Sequence, residues 1–147
     1  MKKKELVHIG WREFISIPEL KIKEIKVKVD TGARTSALHV TDLTYHKKGR
    51  KHLAEFYIHP NQESSRPRFK NIVEVKCFKS IKSSNGISQK RPVIDAMVKF
   101  GGMDKEIEIT LVNRDMMGFR MLLGRAAMRD TFLVNPSKSY LLKKVKR

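Results

Sequence analysis

Apolar residues in this chain recur mostly at every second position. Ile25, Val27 and Val29 alternate with Lys26 and Lys28, a period that turns one set of side chains to a core and the other to water. The alternation returns in Glu106-Ile107-Glu108-Ile109-Thr110-Leu111, which Gly101-Gly102 joins to residues 93–100 as a predicted hairpin. Residues 15–29 read as strand, turn, strand, with the break at Ser16-Ile17-Pro18-Glu19. Residues 53–59 and 72–78 add two short strands. Phe132-Leu133-Val134 and Tyr140-Leu141-Leu142, separated by the turn Asn135-Pro136-Ser137-Lys138, predict a last pair. Only residues 124–130 look helical, for about two turns. Many short strands with frequent turns predict a mainly β domain, a small barrel or sandwich. Residues 61–70 read as an exposed loop and 143–147 as a loose basic tail. With no internal repeat in view, the chain reads as one domain over 1–147.

Length and composition narrow this picture. A chain of 147 residues buries roughly 70% of its unfolded surface, enough for a core without covalent staples. The one cysteine, Cys77, excludes an internal disulfide framework and a multi-cysteine zinc site, and it suits a reducing cytoplasm. Lys2, Lys3 and Lys4 look like the basic start of a signal peptide. Glu5, His8, Arg12 and Glu13 interrupt the apolar run that would have to follow, so no signal peptide is expected. No stretch approaches the roughly 18 consecutive apolar residues of a membrane span.

Charge changes the picture most. The 32 Lys and Arg against 15 Asp and Glu leave a formal +17, and residues 66–91 hold eight bases against the single acid Glu74. Such a field attracts an acidic polypeptide, nucleic acid or the ribosome. Stacking aromatics in that stretch are Phe69 and Phe78 alone, so nucleic acid ranks behind an acidic polypeptide as partner. Solubility alone is the plain alternative.

Against this excess of bases one acid is sharply placed. Val29-Asp30-Thr31-Gly32-Ala33 ends an apolar strand with a carboxylate, and Met121-Leu122-Leu123-Gly124-Arg125 runs from another apolar strand into the helical stretch. Asp-Thr-Gly by itself is a common turn. The two pieces together resemble the retroviral-type aspartic peptidases, with an apolar-apolar-Asp-Thr-Gly-Ala loop early and an apolar-apolar-Gly-Arg turn late. Residues 79–91 lie where such folds carry a flap, with Gly86 at its tip. More closely, IGWRE (9–13), VDTGARTSALH (29–39), NRDMMGFRMLLGR (113–125) and FLV (132–134) resemble the bacterial retropepsin-like family often labelled "ATP-dependent zinc protease". Many of its members are encoded near an ATP-grasp ligase that adds glutamates to a ribosomal protein. The resemblance covers most of residues 9–142. The label does not suit the residues: there is no His-Glu-x-x-His, and no phosphate loop of the Gly-x-x-x-x-Gly-Lys-Ser/Thr kind. His39, His46, His52 and His59 stand six or seven apart in β-rich sequence, a poor spacing for a metal site. No metal and no cofactor are expected.

The resemblance implies a single-lobed retropepsin-like acid-protease β-barrel with one short C-terminal helix, and a catalytic loop of Asp30, Thr31 and Gly32. In that class two carboxylates about 3 Å apart share a proton, one acting as base on water and the other as acid. Thr31 would lock the loop through its hydroxyl, and Gly32 would let backbone approach the carboxylate. Substrate contacts are implied for Ala33 and Arg34, for Ser84, Asn85, Gly86 and Arg91 in the flap, for Asn113, Arg114, Asp115 and Met117 in the loop before Gly124, and for Arg125. Met116, Met117 and Phe119 read as core before pocket wall, and Asp115 as a pocket or salt-bridge residue. Trp11 and Phe14 read as anchors of the N-terminal strand. Arg34 keeps three roles open: pairing with Asp30, binding a substrate carboxylate, or capping the loop.

Two functions follow. The first is an aspartic-type peptidase acting on an acidic or glutamate-modified polypeptide, with one Asp-Thr-Gly per chain and therefore working as a homodimer. The second is a non-catalytic module that uses the same scaffold and basic surface to hold an acidic partner: a glutamylated tail such as that of a ribosomal protein, the glutamate ligase, or the ribosome.

Overall fold

The computed structural model describes residues 5–61, 64–82, 85–113 and 118–142. Ser84, Arg114, Asp115, Met116, Met117 and the tail 143–147 lie outside the described residues.

The period-two segments form strands. β1 (Val7–Gly10) and β2 (Arg12–Ile17) lead through a 3-10 turn at Pro18–Leu20 into β3 (Ile22–Val29). Pro18 presets the turn, and Lys21 closes it at φ 63. β4 (Ser36–Lys48) and β5 (Lys51–Ile58) form a long hairpin turning at Gly49, which has φ +64. β6 (Phe69–Glu74), β7 (Cys77–Lys82), β8 (Ser88–Phe100) and β9 (Met103–Val112) follow. β10 (Met121–Leu123) enters the one-turn helix α1 (Arg125–Met128), and β11 (Phe132–Asn135) comes after it. The core gathers the inward positions: Ile15, Ile25, Val27, Leu38, Phe56, Ile94, Ile109 and Leu123 are all within 2% of complete burial. Removing that much apolar surface from water is the main force holding the sheet.

The expected closed β-barrel with a C-terminal helix is not what the chain forms. Among the described residues, nine strands make one mixed, largely antiparallel sheet in the order β10-β3-β2-β8-β9-β4-β5-β6, with β7 joined to β8. A barrel needs every strand to keep two hydrogen-bonded neighbours along its length. Here β4 and β8, 13 residues each, outrun their partners. β4 pairs with β9 only over Ser36 to His39 and with β5 from Val40 onward, a ladder broken between Thr41 and Thr44, where Asp42 has φ 54. β5 takes β6, and the path ends there. β10 also touches β4 through Ala37 and Leu38, and β2 meets β8 through Ser16 and Lys99 alone. These narrow seams curl the sheet without closing it. The helix is not C-terminal either, because β11 follows it and pairs in parallel with β1.

Two local expectations also change. The single strand predicted over 72–78 is two strands, since at Val75 and Lys76 the chain passes from β5 to β8, bonding to His52 O and Val93 O at 2.8 Å each. Residues 140–142 form no strand with 132–134. Instead the amides of Leu141 and Leu142 turn to Glu13, a carboxylate 1% exposed that accepts N–H bonds from Gly10 (2.6 Å), Leu141 (2.8 Å) and Leu142 (3.0 Å).

Candidate active site

β3 and β10 run in parallel, Val27 opposite Met121 and Val29 opposite Leu123. That pairing carries the Asp-Thr-Gly loop and the Leu-Leu-Gly-Arg turn to one end of the sheet. The Asp30 N–H donates to Leu123 O at 2.9 Å, so the ladder itself sets where the carboxylate begins. Asp30 Oδ1 accepts the Gly32 N–H at 3.0 Å, an Asx turn that curls the backbone round the acid. A Cβ on Gly32 would stand 3.2 Å from the same oxygen, which is why the position suits glycine. Ala33 N–H returns to Asp30 O at 3.2 Å.

The β10–α1 turn clamps the loop from the other side. Arg125 donates from Nη1 to Thr31 O at 2.9 Å and from its backbone N–H to Ala33 O at 2.8 Å. Ala126 N–H donates to Arg34 O at 2.9 Å. Gly124 permits this approach, because a Cβ there would lie 2.7 Å from the Thr35 carbonyl carbon and 2.8 Å from Arg34 O. Its N–H donates to Ser36 Oγ, and the Ser36 carbonyl accepts the Thr110 hydroxyl, both at 3.0 Å. Ser36 and Thr110 are each 1% exposed, and buried hydroxyls of this kind need such partners. Neither was singled out from sequence. The available signal for Ser36 was a hydroxyl set directly before the apolar pair Ala37-Leu38.

Thr31, Gly32, Arg34 and Arg125 are exposed, while Asp30 and Ala33 are half-buried. Among the described residues, Asp30 carries no ion pair. Arg34 is exposed beside the loop, and among the described residues it forms no ion pair with Asp30.

β7 and the first half of β8 pair as a hairpin. Lys79 lies opposite Arg91 and Lys82 opposite Ser88, with Gly86 at φ +85 and Asn85 Oδ1 accepting the Ile87 N–H at 3.3 Å. Asn85 and Gly86 are exposed at its tip, but Arg91 is buried at its base, 6% exposed. Asn113 is exposed at the end of β9. Phe119 packs edge-on to Trp11 at 6.2 Å. Trp11 anchors the neighbouring backbone, its carbonyl accepting the Val29 N–H at 2.8 Å, and Phe14 stacks on Tyr140 at 4.8 Å.

Under the hairpin, Lys76 reaches Glu108 (2.8 Å) and Asp95 (3.3 Å), while Lys79 reaches Glu108 (3.1 Å). Hydrogen bonds from Lys76 and then Lys79 hold the Glu108 carboxyl below its ordinary range. Glu108, then Asp95, holds the Lys76 ammonium above its own. The histidines are engaged separately. His59 is held between Thr41 Oγ1 (2.7 Å) and Ser65 O (2.8 Å), His46 lies 3.7 Å from Glu55, and His52 is edge-on to Phe78. Among the described residues, no group of three or more His, Cys, Asp or Glu is placed to hold a metal. Among them, too, no helix is long and apolar enough to cross a membrane.

A strand-end Asp-Thr-Gly loop docked on a Leu-Leu-Gly-Arg turn is the arrangement of the retropepsin-like class. Residues 8–145 match the family described as RimB-like, retropepsin-like aspartic endopeptidase RimB, and the chain belongs to that family. It is 43% identical over 134 residues to a probable alpha-L-glutamate ligase of Shewanella pealeana, and 38% identical over 139 residues to one of Desulfotalea psychrophila. These matches cover 91% and 95% of this chain but 29% and 30% of the ligases, so the chain spans less than a third of those relatives. A crystal structure of a Legionella pneumophila protein of unknown function has the same fold, with a TM-score of 0.77 at 24% identity, over 95% of this chain and all of that one.

Proposed function

We propose that this chain is a platform for a glutamate-bearing acidic polypeptide, and that two copies meeting at their Asp30 loops hydrolyse an amide bond of it. The observation that carries this reading is the doubly clamped loop: Asp30 is bonded by Gly32 N–H, and the loop carbonyls of Thr31, Ala33 and Arg34 are all held by the β10–α1 turn. Preorganising a carboxylate in this way, with Thr31 and Gly32 exposed beside it, suits a group that works on something outside its own chain. The net charge of +17 supports an acidic partner.

In the paired site one Asp30 is ionised and its symmetry mate protonated, since like charges this close cannot both ionise. The ionised carboxylate takes a proton from water as the water oxygen bonds to the amide carbon. The protonated one gives its proton to the carbonyl oxygen. Collapse of the tetrahedral adduct returns that proton, breaks the C–N bond, and sends the first proton to the leaving nitrogen. Arg34, exposed beside the loop, and Asn85 and Gly86 at the hairpin tip are assigned to substrate contact.

A second reading, binding without cleavage, is favoured by the ligases that share this sequence, in which such a module would present a glutamate-bearing chain to its ligase. Incubation with a glutamate-extended peptide, followed by mass spectrometry, separates the two. Hydrolysis by wild type and none by Asp30→Asn supports the peptidase. Binding by both with no product leaves the holding module, and binding by neither rejects both readings.

A further inference from the structure

The far end of the β4–β5 hairpin has two unlike faces. On one, Lys51 pairs with Glu74, Lys70 with Glu55, and His46 approaches Glu55. Those cations are already answered by carboxylates. The other face takes the alternate positions Tyr45 and Lys47 from β4 and His52 from β5, with Lys47 opposite His52 in the register. Phe78 of β7 closes onto it, with ring centroids 5.7 Å from Tyr45 and 6.1 Å from His52. The Lys90 ammonium sits 5.4 Å above the Phe78 ring. Tyr45 is 49% exposed although it lies against Phe78, so much of its ring faces outward. Lys47, Lys90 and the tip residue Arg50 are exposed and carry no ion pair among the described residues.

We infer that this face is a binding site for single-stranded nucleic acid, with bases stacking on the exposed rings of Tyr45 and His52, which the half-buried Phe78 backs, and phosphates held by Lys47, Arg50 and Lys90. An acidic peptide would use the cations but leaves exposed rings without a role, whereas every base has a π-face to lay on them. A duplex hides those faces. The segregation of Glu55 and Glu74 to the opposite side removes the carboxylates that would repel phosphates. The sequence points elsewhere, because the densest basic run, 66–91, contributes only Phe78 and Lys90 here; the rest comes from a hairpin that only folding brings alongside.

The site is independent of the Asp30 loop, so its test does not depend on hydrolysis. Fluorescence anisotropy is measured with a uridine 12-mer, the matching DNA 12-mer, a 12-bp RNA duplex and an oligo-glutamate peptide. Single strands are expected to bind more tightly than the duplex, and the RNA and DNA arms separate use of the 2′-hydroxyl from stacking alone. Tyr45→Leu, which keeps an apolar contact on Phe78, should weaken single-strand binding roughly tenfold, while Tyr45→Phe should retain it. Lys47→Gln and Lys90→Gln should each lower the slope of log K against log salt by about 0.7. Circular dichroism checks that each variant is folded, and oligo-glutamate binding should be unchanged by Tyr45→Leu. Equal binding of duplex and single strand, or an unchanged affinity in folded Tyr45→Leu, would overturn the inference. So would loss of peptide and nucleic-acid binding together, which would mark the face as a general site for acidic partners.

Discussion

At the scale of single residues, two positions test how backbone is held near the site. Glu13 accepts three backbone N–H groups while 1% exposed. It ties the β1–β2 turn to residues 141 and 142. Removing the acceptor leaves the buried Gly10 N–H unsatisfied, at about 1–3 kcal/mol, and releases the part-exposed amides of Leu141 and Leu142. Glu13→Ala is therefore expected to lower unfolding free energy in urea by about 3 kcal/mol and to speed amide exchange at Leu141 and Leu142. Gly124 is held to glycine by the facing loop, whose backbone would stand as close as 2.7 Å to a Cβ added there. Gly124→Ala should cost about 1–3 kcal/mol through overpacking and should push the Asp30 loop off β10. The checks are thermal unfolding and loss of exchange protection at Asp30, Arg125 and Ala126. Asp30→Asn keeps the side-chain shape and the oxygen that faces Gly32, so its melting curve should overlay wild type.

At the scale of elements, the base of the β7–β8 hairpin carries a network in which Glu108 is shared by Lys76 and Lys79 and Asp95 is a second partner of Lys76. Glu108 has a folded pKa below its unfolded one, so its contribution is present above the unfolded value and is lost as pH falls through the folded value. Lys76 is raised, so its contribution is present below its unfolded value and is lost as pH rises through the folded value. The network is complete between roughly pH 5 and pH 10. Acidification below that window should increase amide exchange in β7 after correction for intrinsic rates, and Glu108→Gln should remove this pH dependence. An unchanged profile in the variant would show that β7 is held by its ladder with β8 alone. The partners are solvent-exposed, so the effect belongs to this hairpin rather than to global stability.

At the scale of the whole molecule, one Asp30 per chain makes the proposed chemistry a property of the dimer. Two copies each bring a charge of +17, and their repulsion weakens as salt shortens the Debye length. Self-association measured by sedimentation should therefore rise from low to moderate salt, while binding of an oligo-glutamate peptide should fall. Adding excess Asp30→Asn to wild type should suppress hydrolysis, because mixed dimers hold one carboxylate and one amide. Activity that follows wild-type concentration alone, with subunit exchange demonstrated by a mass-tagged variant, would remove the shared-dyad mechanism.

The alternation of Ile25, Val27 and Val29 with lysines, and of Ile107, Ile109 and Leu111 with polar residues, was enough to mark those two segments as strands with one buried face, because side chains alternate sides locally. It left β1 and the long β4 unmarked as strands. The same local chemistry marked Gly101-Gly102 as a turn, whereas it was resemblance to a known family, not local chemistry, that paired the Asp-Thr-Gly and Leu-Leu-Gly-Arg segments. How far each strand runs, and beside which neighbour, was decided by tertiary structure. β4 leaves β9 for β5 after His39, so the sheet stays open; residues 141 and 142 turn to Glu13 instead of joining β11; and Ser36 and Thr110 become struts under Gly124. Hydrogen bonds between distant strands and the burial of a few polar groups settle such choices, and neither has a period that can be read along one chain.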